Sequence, residues 1–313
     1  MTAYIARRLL ATIPVMVFVA LFVFLLLHLT PGDPAALIAG DDATPEAIAG
    51  IRQKLGLDRP IWEQFGTFVM NLMRGDLGTS IFSGLPVTTL VAQRLEPTIV
   101  LAVSTLAVAI VFAVPMGVLA AWKARTAIDR VVMGFSVLGF ALPVFLIGYL
   151  LIYVFAIQLR WLPVQGYRPL EQGIDQTARS IVLPAFALGM AYMALIARMT
   201  RASMLEVLSQ DYIRTARAKG VATIVVLLRH ALKNAAVPIV TVIGIGLTLL
   251  ISGVVITETV FNIPGLGRLT VDAILKRDYP IIQGLIIIFA GVKVLVNLLI
   301  DISYVFFDPR IRY

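Results

Sequence analysis

Six apolar runs, each about long enough to cross a lipid bilayer, constrain this chain more than any other feature. A spanning helix needs about 20 mostly apolar residues, because each residue rises about 1.5 Å across a hydrocarbon core about 30 Å thick. The runs are Leu9–Leu29, Thr98–Trp122, Val131–Leu159, Ile181–Ala197, Val237–Thr257 and Ile281–Phe306. They predict an all-α fold, a polytopic membrane protein with six transmembrane helices. The fourth run is the shortest and predicts a helix that continues beyond the membrane. The third is long enough to tilt, and Pro143 predicts a kink in it. Composition agrees. Hydrophobic residues make up 59% of the 313 and charged residues 14%, against about 45–50% and about 25% in soluble domains.

Charge asymmetry gives the orientation. The amino terminus, the loops after the second and fourth runs and the carboxyl terminus carry Arg7, Arg8, Lys123, Arg125, Arg130, Arg198, Arg201 and many further bases. Few acids oppose them: Asp129, Glu206, Asp211 and Asp308. In the loop after the first run, acids from Asp33 to Glu96 outnumber the bases. The positive-inside rule therefore places both termini in the cytoplasm. The net charge of +8 reflects that asymmetry; a nucleic-acid surface would need a soluble basic domain to carry it. There is no cysteine, so disulfides and thiolate metal sites are excluded. The first run exceeds the usual 7–15-residue core of a signal peptide, and no clear small-residue cleavage site follows it, so an uncleaved helix is expected.

The expected organisation is a first transmembrane helix over 1–30, an external helical cap over 31–95, a transmembrane domain over 96–307 and a cytoplasmic tail over 308–313. The cap is too long for a mere connection. In TPEAIAGIRQKLGLDRP, Thr44 suits an N-cap, Pro45 the first helical position and Gly56 a stop. A second helix is expected to start near Pro60 and run through Trp62, Phe65, Phe68 and Leu72, before GDLG at Gly75–Gly78 turns the chain. The last external loop, ETVFNIPGLGRLTVDAILKRDYP, places Pro264, Gly265 and Gly267 where tight turns or a re-entrant hairpin are expected. Glu258 either lines a pathway or caps the loop backbone.

The cytoplasmic loop 200–236 interrupts the apolar pattern with a basic helical segment, DYIRTARAKG. Asp211 is expected to cap a short helix from Tyr212 to Lys219, and Gly220 to end it in a left-handed conformation. VVLLRHALKNAAVP then returns to the membrane as an amphipathic segment. The short helix is thus expected to lie across the inner ends of the bundle on two rigid arms.

This segment resembles the loop of ABC-importer permeases whose core is E-A-A-x-x-x-G followed later by I-x-L-P. More closely, DYIRTARAKG with RHALKNA resembles the first (B-type) permease of dipeptide, oligopeptide, glutathione and nickel importers. YIARRLL, TPGDP, KLGLDRP, GDLGTS, TETVFNIPGLGRL, RDYP and DPRIRY extend the resemblance over essentially the whole chain. Arg214 stands where the general motif has glutamate and Lys233 where it has proline, departures typical of the peptide branch; Ala216 and Gly220 fit.

The resemblance implies the ABC importer type I transmembrane fold. It further implies a homologous second permease, two cytoplasmic ATPases that hold ATP and magnesium, and an extracytoplasmic binding protein, with membrane lipid around the permeases. Its coupling residues fall at Asp211, Tyr212, Arg214, Thr215, Ala216, Arg217, Lys219 and Gly220. The cargo it implies is di- or oligopeptides, with glutathione, a nickel chelate, or an opine or sugar as alternatives. No cofactor is expected in this chain: no G-x-x-x-x-G-K-[ST] occurs, and no lysine precedes serine or threonine, so a P-loop is absent.

Polar residues inside the membrane need a reason, since charge there costs about 2.5–3.5 kcal/mol on insertion scales. Lys293, Asn297 and Asp301 follow one another at four-residue steps on one face of the sixth run. They either line the pathway or meet a neighbouring helix. The two histidines, His28 and His230, do not make a zinc site, and no serine has a suitably spaced histidine base, which argues against an intramembrane enzyme. An ion-coupled secondary transporter would need mid-membrane acids, whereas those here cluster near run ends.

Overall fold

The computed structural model describes residues 2–29, 34–39, 44–54 and 56–307. Asp33 and the tail from residue 308 lie outside the described residues. In chain order the helices are α1 (Thr2–Leu29), α2 (Pro34–Ala39), α3 (Pro45–Lys54), α4 (Ile61–Met73), α5 (Val87–Trp122) and α6 (Ala127–Ala141). Then come α7 (Val144–Leu151), extended by a π-helical stretch Ile152–Gln158, and α8 (Ile174–Leu208). They are followed by α9 (Asp211–Ala218), α10 (Thr223–Val225) with a π-helical extension Val226–Leu232, α11 (Ala236–Val260), α12 (Leu266–Lys276) and α13 (Tyr279–Phe307). The described residues hold no strand, only an isolated antiparallel bridge between Thr79 and Pro86.

All six apolar runs are helical, the third with a break at Leu142 and Pro143. Three helices are long and apolar enough to cross a membrane unaided: α5, α8 and the Tyr279–Ile300 part of α13. Two bent pairs raise the number to five, and the apolar stretch Leu10–Leu26 of α1 is shorter than these. The fourth run does continue as helix, at both ends, to 35 residues in α8.

The third run departs from expectation. Pro143 does not kink one helix; it separates two, whose axes differ by 107°. The proline ring disfavours helical geometry at the residue before it, and Leu142 is accordingly extended at φ −83°, ψ 133°. A second bend, of 64°, joins the π-helical return arm to α11.

The chain forms two compact units, one comprising Met1–Leu95 with Leu269–Leu295, the other Glu96–Arg268 with Val296–Tyr313. In the first unit, Phe24 of α1 meets Phe65 and Phe68 of α4 at centroid distances of 5.3 and 5.8 Å. Gln64 secures the turn before α4 by donating to the carbonyls of Leu57 and Arg59. Gly56 ends α3 at φ +66°, as expected. Two quoted motifs prove to be one structure: the buried Ser80 of GDLGTS donates to Asp278 of RDYP at 2.5 Å, and Ile81 N–H bonds the same carboxylate at 3.3 Å.

The second unit is built on α8, whose buried residues run from Thr177 to Met204. Leu188, Tyr192, Ile196 and Ala197 join Leu101, Ala109, Val242, Leu250 and Phe261 in its main apolar core. A second, smaller core lies at the α9 end of the unit, from Val118 and Ala121 through Met204 and Ile213 to Leu227 and Ala231.

Candidate functional site

The short basic helix α9 is fixed by one residue that its charged neighbours obscure in the sequence. Ile213 is 0% exposed and packs into the smaller core, with Ala216 and Val221 half-buried beside it. The rest of α9 faces outward: Tyr212 is 44% exposed, and Arg214, Thr215, Arg217 and Lys219 are exposed with it. One apolar stripe therefore moors an otherwise cationic rod.

Asp211 is not the cap. Gln210 holds the extended N-cap geometry and makes no side-chain capping bond, while Asp211 is the first helical residue. There it complements the positive end of the helix dipole, as an acid in a first turn does. Its contact with Arg214, at 3.6 Å between exposed groups, contributes little in water. Thr215 spends its hydroxyl on the Asp211 carbonyl, at 3.1 Å. The carboxyl end stops as the sequence predicts, with Gly220 at φ +77°. Val221 N–H bonds the Ala216 carbonyl at 3.2 Å and Gly220 N–H that of Arg217 at 3.0 Å. This pair of bonds is the Schellman arrangement, which needs a residue free of the Cβ penalty at positive φ.

The arm that leads into α9, α8, is tied to α6 by a pair of charges distant in sequence. Asp129, in the first turn of α6, is 4% exposed. It receives Arg201 of α8 through two bonds of 2.5 and 2.7 Å, and Arg125 N–H at 2.8 Å. A two-pronged guanidinium–carboxylate contact fixes orientation as well as distance. T-A-I-D at Thr126–Asp129, where an acid three residues after a cap position reaches back to a main-chain N–H, accounts for the Arg125 bond alone; nothing local in the sequence points to Arg201.

At the opposite end of the unit, Glu258 is wholly buried. Its Oε1 accepts the Thr98 hydroxyl at 2.6 Å and its Oε2 the Arg268 N–H at 2.9 Å. Thr98 in turn accepts Leu266 N–H at 2.8 Å. Glu258 and Thr98 therefore satisfy two of the unpaired N–H groups at the start of α12. Of the two readings, the carboxylate adopts the loop-capping one.

The loop corrects the sequence reading in one respect. Gly265 and Gly267 do not serve as positive-φ turns; that conformation falls to Asn262 at φ +54°. The glycines make room. A Cβ on Gly265 would fall 2.0 Å from Glu258 Oε1, and one on Gly267 2.6 Å from the Val255 Cα. Gly267 lies inside α12, and Pro264 is the exposed corner before it. Ile263, Leu266 and Leu269 are buried, while Ile274 is exposed. Nearby, Tyr167 donates to Glu96 at 2.7 Å. Burial first, and the Glu96 carboxylate second, push the Tyr167 hydroxyl above its ordinary range, so it stays a donor.

The polar residues of α13 separate. Asn297 accepts the Thr248 hydroxyl of α11 at 3.3 Å, which is a helix contact. Lys293 is exposed on the chain's surface. Asp301 continues the helix, its side chain lying outside the described residues. Asn297 meets neither Glu258 nor α9 among the described contacts.

Comparison with known proteins supplies the family. Residues 1–102 match the amino-terminal domain, and residues 113–313 the main domain, of the binding-protein-dependent transport system inner membrane component. A probable peptide ABC transporter permease protein, y4tP, of Sinorhizobium fredii is 55% identical over the full length of both chains. The glutathione transport system permease protein GsiC of Escherichia coli is 44% identical, again over both full lengths. In fold, the chain is similar to the MetNI methionine ABC transporter in an inward-facing conformation, with TM-score 0.60 and 16% identity over 71% of this chain and 97% of that one. The chain belongs to the family of multi-pass inner-membrane permease components of binding-protein-dependent ABC importers.

Proposed function

We propose that this permease forms half of the pathway of an ATP-driven peptide importer, and that α9 is the lever through which a separate ATPase drives it. Six spans, with α1 as the first, then leave both termini and α9 in the cytoplasm and the 31–95 cap outside. ATP and magnesium are held by two ATPase subunits, a second permease completes the pathway, and an extracytoplasmic protein delivers the cargo. The peptide reading draws on the 55% identity to a probable peptide permease. Glutathione, itself a small peptide, is the second reading, favoured by the 44% identity to GsiC.

The observation that carries the lever is the division of labour within α9: Ile213 buried, with Tyr212, Arg214, Arg217 and Lys219 outward. A helix held by one side and charged on the other suits a polar groove on a partner, and the Asp129–Arg201 pair lets a push on it reach α6 and α8 together. ATP binding then moves the helix bundle between inward and outward access.

The test uses the assembled transporter in proteoliposomes. Ala216→Asp puts a charge against the smaller core, and Gly220→Pro removes both the left-handed stop and its N–H. Each is expected to leave ATP hydrolysis running while peptide uptake falls by at least about tenfold, a loss of about 1.4 kcal/mol of coupling. Uptake and binding-protein-stimulated hydrolysis both at wild-type level would overturn the assignment.

A further inference from the structure

A groove of about 240 Å³ opens between α6 and α8 and belongs to none of the features described above. Met133, Val137, Phe140 and Ala141 of α6 and Leu195 of α8 supply its apolar lining, and Arg198 of α8 stands in it as the one charged residue. Val137 and Phe140 are 68% and 69% exposed. Arg130, Met133, Val137 and Phe140 follow one another at the three- and four-residue spacing that shares a helix face. The two helices run antiparallel, since Asp129 meets Arg201 at one end and Gly139 approaches the Met190 carbonyl further along. Arg198 thus lies level with Met133 at the rim nearest the Asp129–Arg201 pair, and Phe140 and Ala141 form the deep end. From Met133 to Ala141 the helix rises about 12 Å, close to the hydrocarbon depth of one leaflet, about 15 Å.

Arg201 is spent on Asp129. Among the described residues no acidic side chain comes within ion-pair distance of Arg198, which is exposed. A guanidinium at the rim of an apolar slot one leaflet deep fits a phosphodiester head on acyl chains. We propose that this groove binds an anionic phospholipid of the cytoplasmic leaflet, its phosphate on Arg198 and one chain along Val137 and Phe140. The lipid would brace α6 against α8 beside the Asp129–Arg201 pair. The inference rests on the orientation given under Proposed function.

The experiment uses the assembled transporter in nanodiscs of phosphatidylcholine with a minor share of phosphatidylglycerol. Phosphatidylglycerol retained after extraction is counted by native mass spectrometry. Arg198→Gln is expected to lower it about fivefold, equivalent to about 1 kcal/mol for one basic side chain at the headgroup plane, with phosphatidylcholine unchanged. Because the chain has no cysteine, a fluorophore on Val137→Cys gives a second reading that does not depend on that variant. Brominated phosphatidylglycerol is expected to quench it more strongly than brominated phosphatidylcholine. Equal quenching by both lipids, or a label shielded from both because it crosslinks to the second permease, would overturn the proposal. Peptide uptake is measured on the same samples: if uptake is ATP-driven while lipid selectivity is absent, the groove has failed and the permease reading stands.

Discussion

Two sites in the second unit, one at the start of α12 and one at α9, handle charge in opposite ways. At the Glu258 site the carboxylate turns inward, and every bond described for it serves the start of α12. At the α9 site, Arg214, Arg217 and Lys219 turn outward, and Ile213 alone is buried to hold them there. A buried carboxylate surrounded by donors is architecture. A row of outward cations fixed by one apolar anchor is a surface made for something else. The chain's own stability should therefore depend on the Glu258 site, and its work with partners on α9.

The largest expected effect follows from removing the Glu258 carboxylate. Glu258→Ala leaves the Thr98 hydroxyl and the Arg268 N–H without the acceptor they share. The cavity left by a wholly buried side chain adds to the cost of the stranded Arg268 N–H, so a loss of about 3–5 kcal/mol is expected. It should show as a lower thermal midpoint of the purified permease in detergent. Glu258→Gln keeps one acceptor oxygen and should cost less. An alanine variant that melts with the wild type would remove the distinction between the two sites.

Next comes the pair that joins α6 to α8. Asp129→Ala strands the Arg201 guanidinium and the Arg125 N–H. Breaking a fully buried pair costs about 3–5 kcal/mol, and with the Arg201 side chain 26% exposed about 2–3 kcal/mol is expected here. The double variant Asp129→Ala with Arg201→Ala should recover part of it. A double-mutant cycle on thermal midpoints reads the coupling, and strictly additive losses would show that the pair carries no load.

These two sites were unequally legible in the sequence. The apolar runs gave every long helix because lipid leaves the backbone few choices. Gly220 gave the end of α9 because only a left-handed residue fits there. What composition could not supply was partnership across the chain. Thr98 and Glu258 are 160 residues apart, and Asp129 and Arg201 72, so no local pattern links either pair. Pro143 misled for a related reason: a proline in an apolar run is compatible with a kink or a break, and which occurs is decided by where α7 finds its neighbours on α8. Gly265 and Gly267 looked like turn formers because crowding by Glu258 and Val255 is invisible without the third dimension.

A smaller effect is expected from the anchor itself. Ile213→Ala removes a fully buried side chain from a core at the edge of the unit, a change in the lower part of the range for such deletions, about 2 kcal/mol. It should act locally. Amide hydrogen exchange over Asp211–Lys219 should speed up roughly thirtyfold, as that energy implies for a segment that opens on its own, with little change in α8. Uniform acceleration through α8 would mean that α9 and the bundle open as one body, and the α9 site would lose its distinctness.

The smallest stability change is the most informative about function. Arg214→Ala deletes an exposed pair with Asp211 at 3.6 Å; exposed pairs of this kind contribute about 0.2–1 kcal/mol at most, so neither the thermal midpoint nor exchange in α9 should move measurably. If α9 exists to meet a partner, the same variant should still weaken association with the ATPase, and more strongly in combination with Arg217→Ala. That weakening should shrink as salt is raised through the range where screening shortens to about 8 Å. A stability-neutral change with a salt-dependent loss of assembly cannot come from the chain's own packing. The same variant leaving assembly untouched at every salt concentration would mean that the outward cations merely face lipid headgroups and water, and the contrast between the two sites would reduce to one of solvation.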